Sequence, residues 1–66
     1  MKREVALVVT EDKDEMYFGE TVGECRAWCE KNNVTGSNGE YIAIGTFDEE
    51  TRYFDIEDYA EIEGVL

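Results

Sequence analysis

Cys25 and Cys29 stand four residues apart, and thiols are the most reactive side chains this chain has to offer. A structural zinc site needs about four ligands, and the sequence has no histidine and no third cysteine to complete one. A redox pair expects C-x-x-C at a helix start, where the thiolate is stabilised. Here the spacing is C-x-x-x-C and Glu24 and Glu30 flank the pair. Both cysteines therefore read as small buried hydrophobes, reduced and poorly reactive. Asp12 and Asp14 alternate in "EDKDE" as calcium ligands do, but the glycine and distant glutamate of an EF-hand loop are missing, and a solvated turn is the better reading. Ser37 is the only serine, with no histidine to activate it. Close carboxylate pairs could serve acid–base chemistry, yet 17 acids in 66 residues make such pairs unavoidable. So small a domain also leaves little room for a pocket of roughly 300 Å3. The expectation is a protein without catalytic residues, metal or cofactor.

What the sequence does concentrate is charge. Seventeen acids against six bases give a formal net charge of −11. Residues 48–63, "DEETRYFDIEDYAEIE", hold eight carboxylates and one arginine, a net of −7. A small domain needs a net charge of only about 2–8 for solubility. High charge with few apolar residues would read as disorder, but 42% of residues are hydrophobic, in periodic clusters, so the chain folds. Its sign excludes nucleic acid and anionic membranes as direct partners and favours basic proteins, above all those that bind nucleic acid.

The apolar run of residues 5–9 after "MKRE" is shorter than the roughly 7–15 residues of a signal-peptide core, and nothing approaches the ~20 apolar residues of a membrane helix. A cytoplasmic protein is expected, in which the sequon Asn33-Val34-Thr35 has no meaning.

The elements follow from periodicity. Residues 4–10, "EVALVVT", form a nearly continuous apolar run suited to a central strand. "EDKDE" turns the chain, and "MYFGE" reads as a short return strand. Thr21 and Glu24 fit a capping box. Behind it, Val22, Cys25, Cys29 and Asn32 follow helical spacing, with Trp28 beside the stripe, for an amphipathic helix of about three turns. Residues 32–40 read as a polar loop. "YIAIGTF" and "RYFDI" read as two further strands around a "DEET" turn. Residues 57–66 read as a short helix, an extra strand or a flexible tail.

The 66 residues thus make a single acidic α+β domain, β-β-α-β-β, with a four-stranded, mostly antiparallel sheet and one helix packed on one face. The expected strand order is 2-1-3-4. The runner-up, 2-1-4-3, resembles β-grasp domains over about residues 4–56, a likeness of topology that carries no motif and implies no activity. Val5, Leu7, Val9, Met16, Phe18, Ile42, Ile44, Phe54 and Ile56 are expected to pack on Val22, Cys25, Trp28 and Cys29, with Trp28, Ile42 and Ile44 largely buried. The opposite face would then carry Ala6, Val8, Thr10, Tyr17, Tyr41, Ala43, Gly45, Phe47, Tyr53 and Asp55.

Tyrosines on a small-residue floor suit a contact surface, because tyrosine brings area at low entropic cost. Asp55 and Glu57 would lie about 6.8 Å apart along a strand, and Asp58 and Glu61 would be neighbours on a helix. Duplex DNA carries one charge per about 1.7 Å of axis. Tyr41, Tyr53, Asp55, Glu57, Asp58, Tyr59 and Glu61 are therefore the candidate partner-binding residues. The functional expectation is a non-enzymatic inhibitor or regulator that occupies a basic nucleic-acid-binding surface of a partner. In size and charge the chain is similar to small acidic phage inhibitors, including DNA mimics and some anti-CRISPR proteins, with no shared motif. The alternative is a structural or assembly protein that forms a homodimer or larger homo-oligomer through its tyrosine-rich face or an exposed strand edge.

Overall fold

The structure is a computed structural model and describes residues 2–62. Its elements run β1 (Lys2–Val9), β2 (Glu15–Gly19), α1 (Val22–Lys31), β3 (Tyr41–Asp48) and β4 (Tyr53–Ala60). The strands form one sheet in the order β2-β1-β3-β4, and every pairing is antiparallel. The two most apolar strands take the centre, as expected, and the β-grasp order is overturned: β4 pairs with β3 and not with β1. Hairpin connections join β1 to β2 and β3 to β4, while α1 carries the chain across β1 from β2 to β3, which run parallel to each other on either side of it.

Local chemistry explains the turns. Thr10 closes the first hairpin: its hydroxyl accepts the Asp14 N–H at 3.1 Å and its carbonyl accepts the Lys13 N–H at 2.9 Å, with Lys13 in the left-handed region at φ 68°. In the second hairpin the Asp48 carboxylate accepts the Glu50 N–H at 3.0 Å and its carbonyl accepts the Arg52 N–H at 2.7 Å. Thr21 caps the helix, its hydroxyl accepting the Glu24 N–H at 3.1 Å. The Glu24 carboxylate reaches back one residue further than a capping box requires and accepts the Glu20 N–H at 2.7 Å. At the other end Val34 N–H donates to Cys29 O at 2.8 Å and Asn33 N–H to Glu30 O at 3.4 Å, with Asn33 at φ 59°. This is a Schellman stop, in which asparagine takes the left-handed position that glycine usually fills. Val34 then packs against the same cluster as Cys29.

The core reverses the expected parity of β1. The helix covers Ala6, Val8, Ile42, Ile44 and Tyr17, which form one cluster with Cys25, Cys29 and Ile62. Val5, Leu7, Val9 and Ala43 form a second cluster on the opposite face, with Phe18, Tyr41, Phe47 and Phe54 around them. A central strand that is apolar at every position gives no alternation to read, and an error of one residue moves its whole side-chain set to the other face. Ala6 opposes Ile44 and Val8 opposes Ile42, so β3 was assigned to the helix side correctly and β1 was not. Trp28 and Ile44 are only half-buried, while Ile42 is fully buried. Trp28 instead stacks on Tyr17, ring centroids 5.1 Å apart, and forms the wall of the core.

Residues 57–60 are neither a helix nor a separate strand; they continue β4. Beyond them the chain turns to the helix side, where Arg26 Nε and Nη2 donate to the Glu61 carbonyl at 3.1 and 3.0 Å and Ile62 is buried. Residues 63–66, also expected to be helix, strand or tail, lie outside the described residues.

Candidate functional site

Five of the seven candidate residues belong to β4, an edge strand that is exposed along nearly its whole length. The pairing with β3 is irregular at one point. Thr46 opposes Asp55 and Gly45 opposes Ile56, but Ile44 opposes Asp58, so Glu57 is an extra residue. Such a bulge inverts the alternation of everything beyond it. Tyr53 and Asp55 share the helix-side face with Asp48 and Thr46, and beyond the bulge Asp58 shares it with Ile44. Glu57 joins them, because its carboxylate accepts the Thr46 hydroxyl at 3.1 Å. Phe54, Ile56 and Tyr59 share the open face with Phe47, Gly45 and Ala43.

The structure therefore divides the candidate set. Asp55, Glu57 and Asp58 are brought together on one side of the strand with Tyr53. Tyr59 goes to the other side, where its ring meets Tyr41 edge-on at 5.4 Å. The single outward face carrying Tyr41, Tyr53 and Asp55 together is overturned, because Tyr53 and Asp55 point to the helix side. Glu61 lies past the end of β4, and its backbone, held by Arg26, anchors the chain there. The expected helical pair Asp58–Glu61 does not form, since Asp58 is in a strand.

Sequence reasoning missed the aromatic groove on the open face. Phe47 stands on the open face as expected, but Leu7, Phe18 and Phe54, expected on the helix side, line one groove with it and with Arg3 and Arg52. No helix or strand of the described residues packs over this groove. Phe18 meets Phe47 edge-on at 5.3 Å, and the Arg3 guanidinium sits 5.9 Å from the Phe18 ring. Arg3 also reaches Glu20 at 3.6 Å and Glu49 at 3.7 Å. The available signal was the phenylalanine set: three large rings in a short chain exceed what one thin core can enclose.

Electrostatics follow position. Among the described residues, none of Asp55, Glu57 and Asp58 forms an ion pair. Asp48 is held below the ordinary carboxylate range, first by the Glu50 N–H that it accepts and more weakly by the nearby positive charge of Lys2. The thiols behave as the sequence implied. Both are free and buried. Burial pushes Cys25 up to about 11, with the neighbouring Cys29 adding to the effect and a hydrogen bond from the Gly19 backbone opposing it; in the protonated form the Cys25 Sγ donates to Ala6 O at 3.3 Å. Cys29 is raised by burial too, and then by Glu40.

An open depression of about 450 Å3, lined by Lys2, Thr46, Asp48, Thr51, Tyr53 and Asp55, is larger than the sequence suggested for so small a domain. No group of three or more histidine, cysteine or acidic side chains among the described residues is arranged to hold a metal. No helix there is long and apolar enough to cross a membrane.

Compared with known proteins, the chain matches no family model, no curated protein and no solved structure.

Proposed function

We propose that the protein is a non-enzymatic binding module that occupies a basic, nucleic-acid-binding surface of a partner protein, as a DNA mimic does. The supporting observation is the strip on β4: Asp55, Glu57 and Asp58 on one side of an exposed edge strand, without ion-pair partners among the described residues, in a chain of net charge −11. Unpaired carboxylates held on a strand lose little side-chain freedom when a partner neutralises them, and their field steers a basic groove toward them. A phosphate-binding groove is the natural complement of such a strip. Acidic inhibitors that phages direct at nucleic-acid-handling proteins, anti-CRISPR proteins among them, are the functional class this reading fits.

The experiment begins with capture from nuclease-treated host extract and proceeds to rates with the purified partner at two salt concentrations. The parent should associate fast at low salt and slowly at high salt, and duplex DNA should compete. The variant carrying Asp55→Lys, Glu57→Lys, Asp58→Lys and Glu61→Lys should lose most of its association rate. A folded variant with unchanged rates, or a partner indifferent to DNA, ends the mimicry reading.

One observation favours a second reading, the homo-oligomeric assembly protein: Ile56 is 40% and Tyr59 59% exposed on the open face. Sedimentation of the protein alone separates the two readings, since an assembly protein self-associates without a partner.

A further inference from the structure

The backbone of β4 is an unused hydrogen-bonding edge. β3 takes one side of the strand, and among the described residues no backbone–backbone hydrogen bond beyond that pairing involves residues 53–60. An edge of this length is a template for another strand. Its side chains are also sorted. Tyr53, Asp55, Glu57 and Asp58 project to the helix side, and Phe54, Ile56 and Tyr59 project to the open side. An added strand alternates between the same two faces. Residues on its helix-side face would stand beside three carboxylates, and those on its open-side face would extend the groove floored by Leu7, Phe47 and Phe54.

We infer that β4 accepts an extended segment of the partner as a fifth strand, and that it selects one whose residues alternate between basic and apolar. This rests on the reading of the protein as a module for basic partners, and it specifies how the partner is held. Backbone hydrogen bonds supply affinity and the two-sided pattern supplies choice, as in other strand-addition complexes. A second copy of β4 is the obvious competitor for the edge. It would bring Asp55, Glu57 and Asp58 against their own equivalents, and like charges across strands repel. The same carboxylates thus bar self-association and admit a basic strand.

The probe is a synthetic nine-residue peptide of alternating lysine and valine, with a scrambled peptide of the same composition as its control. The alternating peptide should bind and slow amide exchange at residues 53–60. The scrambled one should bind about tenfold or more weakly, since it turns some lysines to the apolar side and some valines to the carboxylates, and each cross-strand pair so lost is worth up to a few-fold in affinity. N-methylation of the alternate peptide amides that face β4 should abolish the protection, and methylation of the other set should not. Equal binding of both peptides, lost in high salt and untouched by methylation, overturns strand addition while leaving an electrostatic surface for basic partners. Absence of binding by either peptide at low salt overturns both. Slowed exchange along β4 in concentrated protein without peptide assigns the edge to a second copy and also overturns the inference.

Discussion

Replacing Gly45 by alanine tests the irregular pairing on which the division of β4 depends. A methyl group at this position would stand 2.8 Å from the Asp55 carbonyl carbon and 3.0 Å from Cα of Ile56, and inside the contact radius of the Asp55 carbonyl oxygen. Carbon atoms rest about 3.5–4.0 Å apart, so β4 must withdraw by roughly 1 Å at its junction with the bulge. That displacement breaks one or two interstrand hydrogen bonds, at about 1 kcal/mol each, and adds an overpacking cost of about 1–3 kcal/mol. The sum, about 2–5 kcal/mol, is a large part of the ~3–10 kcal/mol that a chain of this length commands. The obstacle is contact and not backbone conformation, because Gly45 does not adopt a positive φ. Gly23 is the internal control. Its added methyl would meet only Thr21 Oγ1, at 3.7 Å, and alanine should stabilise the helix by about 1 kcal/mol. The assay is urea unfolding followed by tryptophan fluorescence. Gly45→Ala should move the midpoint down by about 1 M or more, for a slope of about 1–3 kcal/mol/M, and Gly23→Ala should move it up. A Gly45→Ala midpoint equal to or above the parent's would refute the close approach of β4.

Three further outcomes follow from particular contacts. Trp28→Ala should cost about 2–3 kcal/mol, below the ~3–5 of a fully buried aromatic, because Trp28 is half-buried and stacked on Tyr17; a melting temperature within about 4 °C of the parent would count against the stack. Cys25 should resist thiol reagents at neutral pH, and it makes stability depend on pH. Above the ordinary thiol range the unfolded chain releases a proton that the folded chain retains up to about 11, so stability falls as pH rises through that window; chemical unfolding at pH 8 and pH 10 should show the fall, and Cys25→Ala should lessen it. Lys13 holds a left-handed backbone at φ 68°, so Lys13→Gly should raise stability by up to about 1 kcal/mol, read by the same urea titration, and a lowered midpoint would contradict the turn geometry.

The sequence exposed what repeats or caps and concealed what depends on register. Thr21 with Glu24 marked the helix start, and the strand order followed from placing the two most apolar strands in the centre. Ile42 and Ile44 alternate with small residues, so their face was readable. Val5 to Val9 do not alternate, and the side of each could be fixed only by pairing with β3. The bulge was equally hidden. It sits where Asp55 passes close over Gly45, a contact between two strands that neither strand announces alone. The missed Schellman stop differs in kind: Asn32-Asn33 followed by an apolar Val34 is a local signal, passed over because the same letters read as a polar loop.

The distribution of charge on β4 exceeds what the fold asks for. Self-repulsion in a chain of net charge −11 is eased by spreading carboxylates over the periphery, where charges more than about 8 Å apart are largely screened at physiological salt. Solubility alone would favour an acid at each exposed position of an edge strand, on both its sides. β4 does the reverse. It gathers Asp55, Glu57 and Asp58 on one side, where they repel each other, and leaves Ile56 and Tyr59 exposed on the other. Moving one acid to the position of Ile56 would lessen the repulsion and cover apolar surface, and no packing in the structure forbids it, since Ile56 belongs to neither core cluster. The arrangement costs both stability and solubility for little internal contact beyond the Thr46–Glu57 hydrogen bond and the Tyr41–Tyr59 ring pair, and that is the ground for proposing that the two sides of β4 are surfaces kept for a partner.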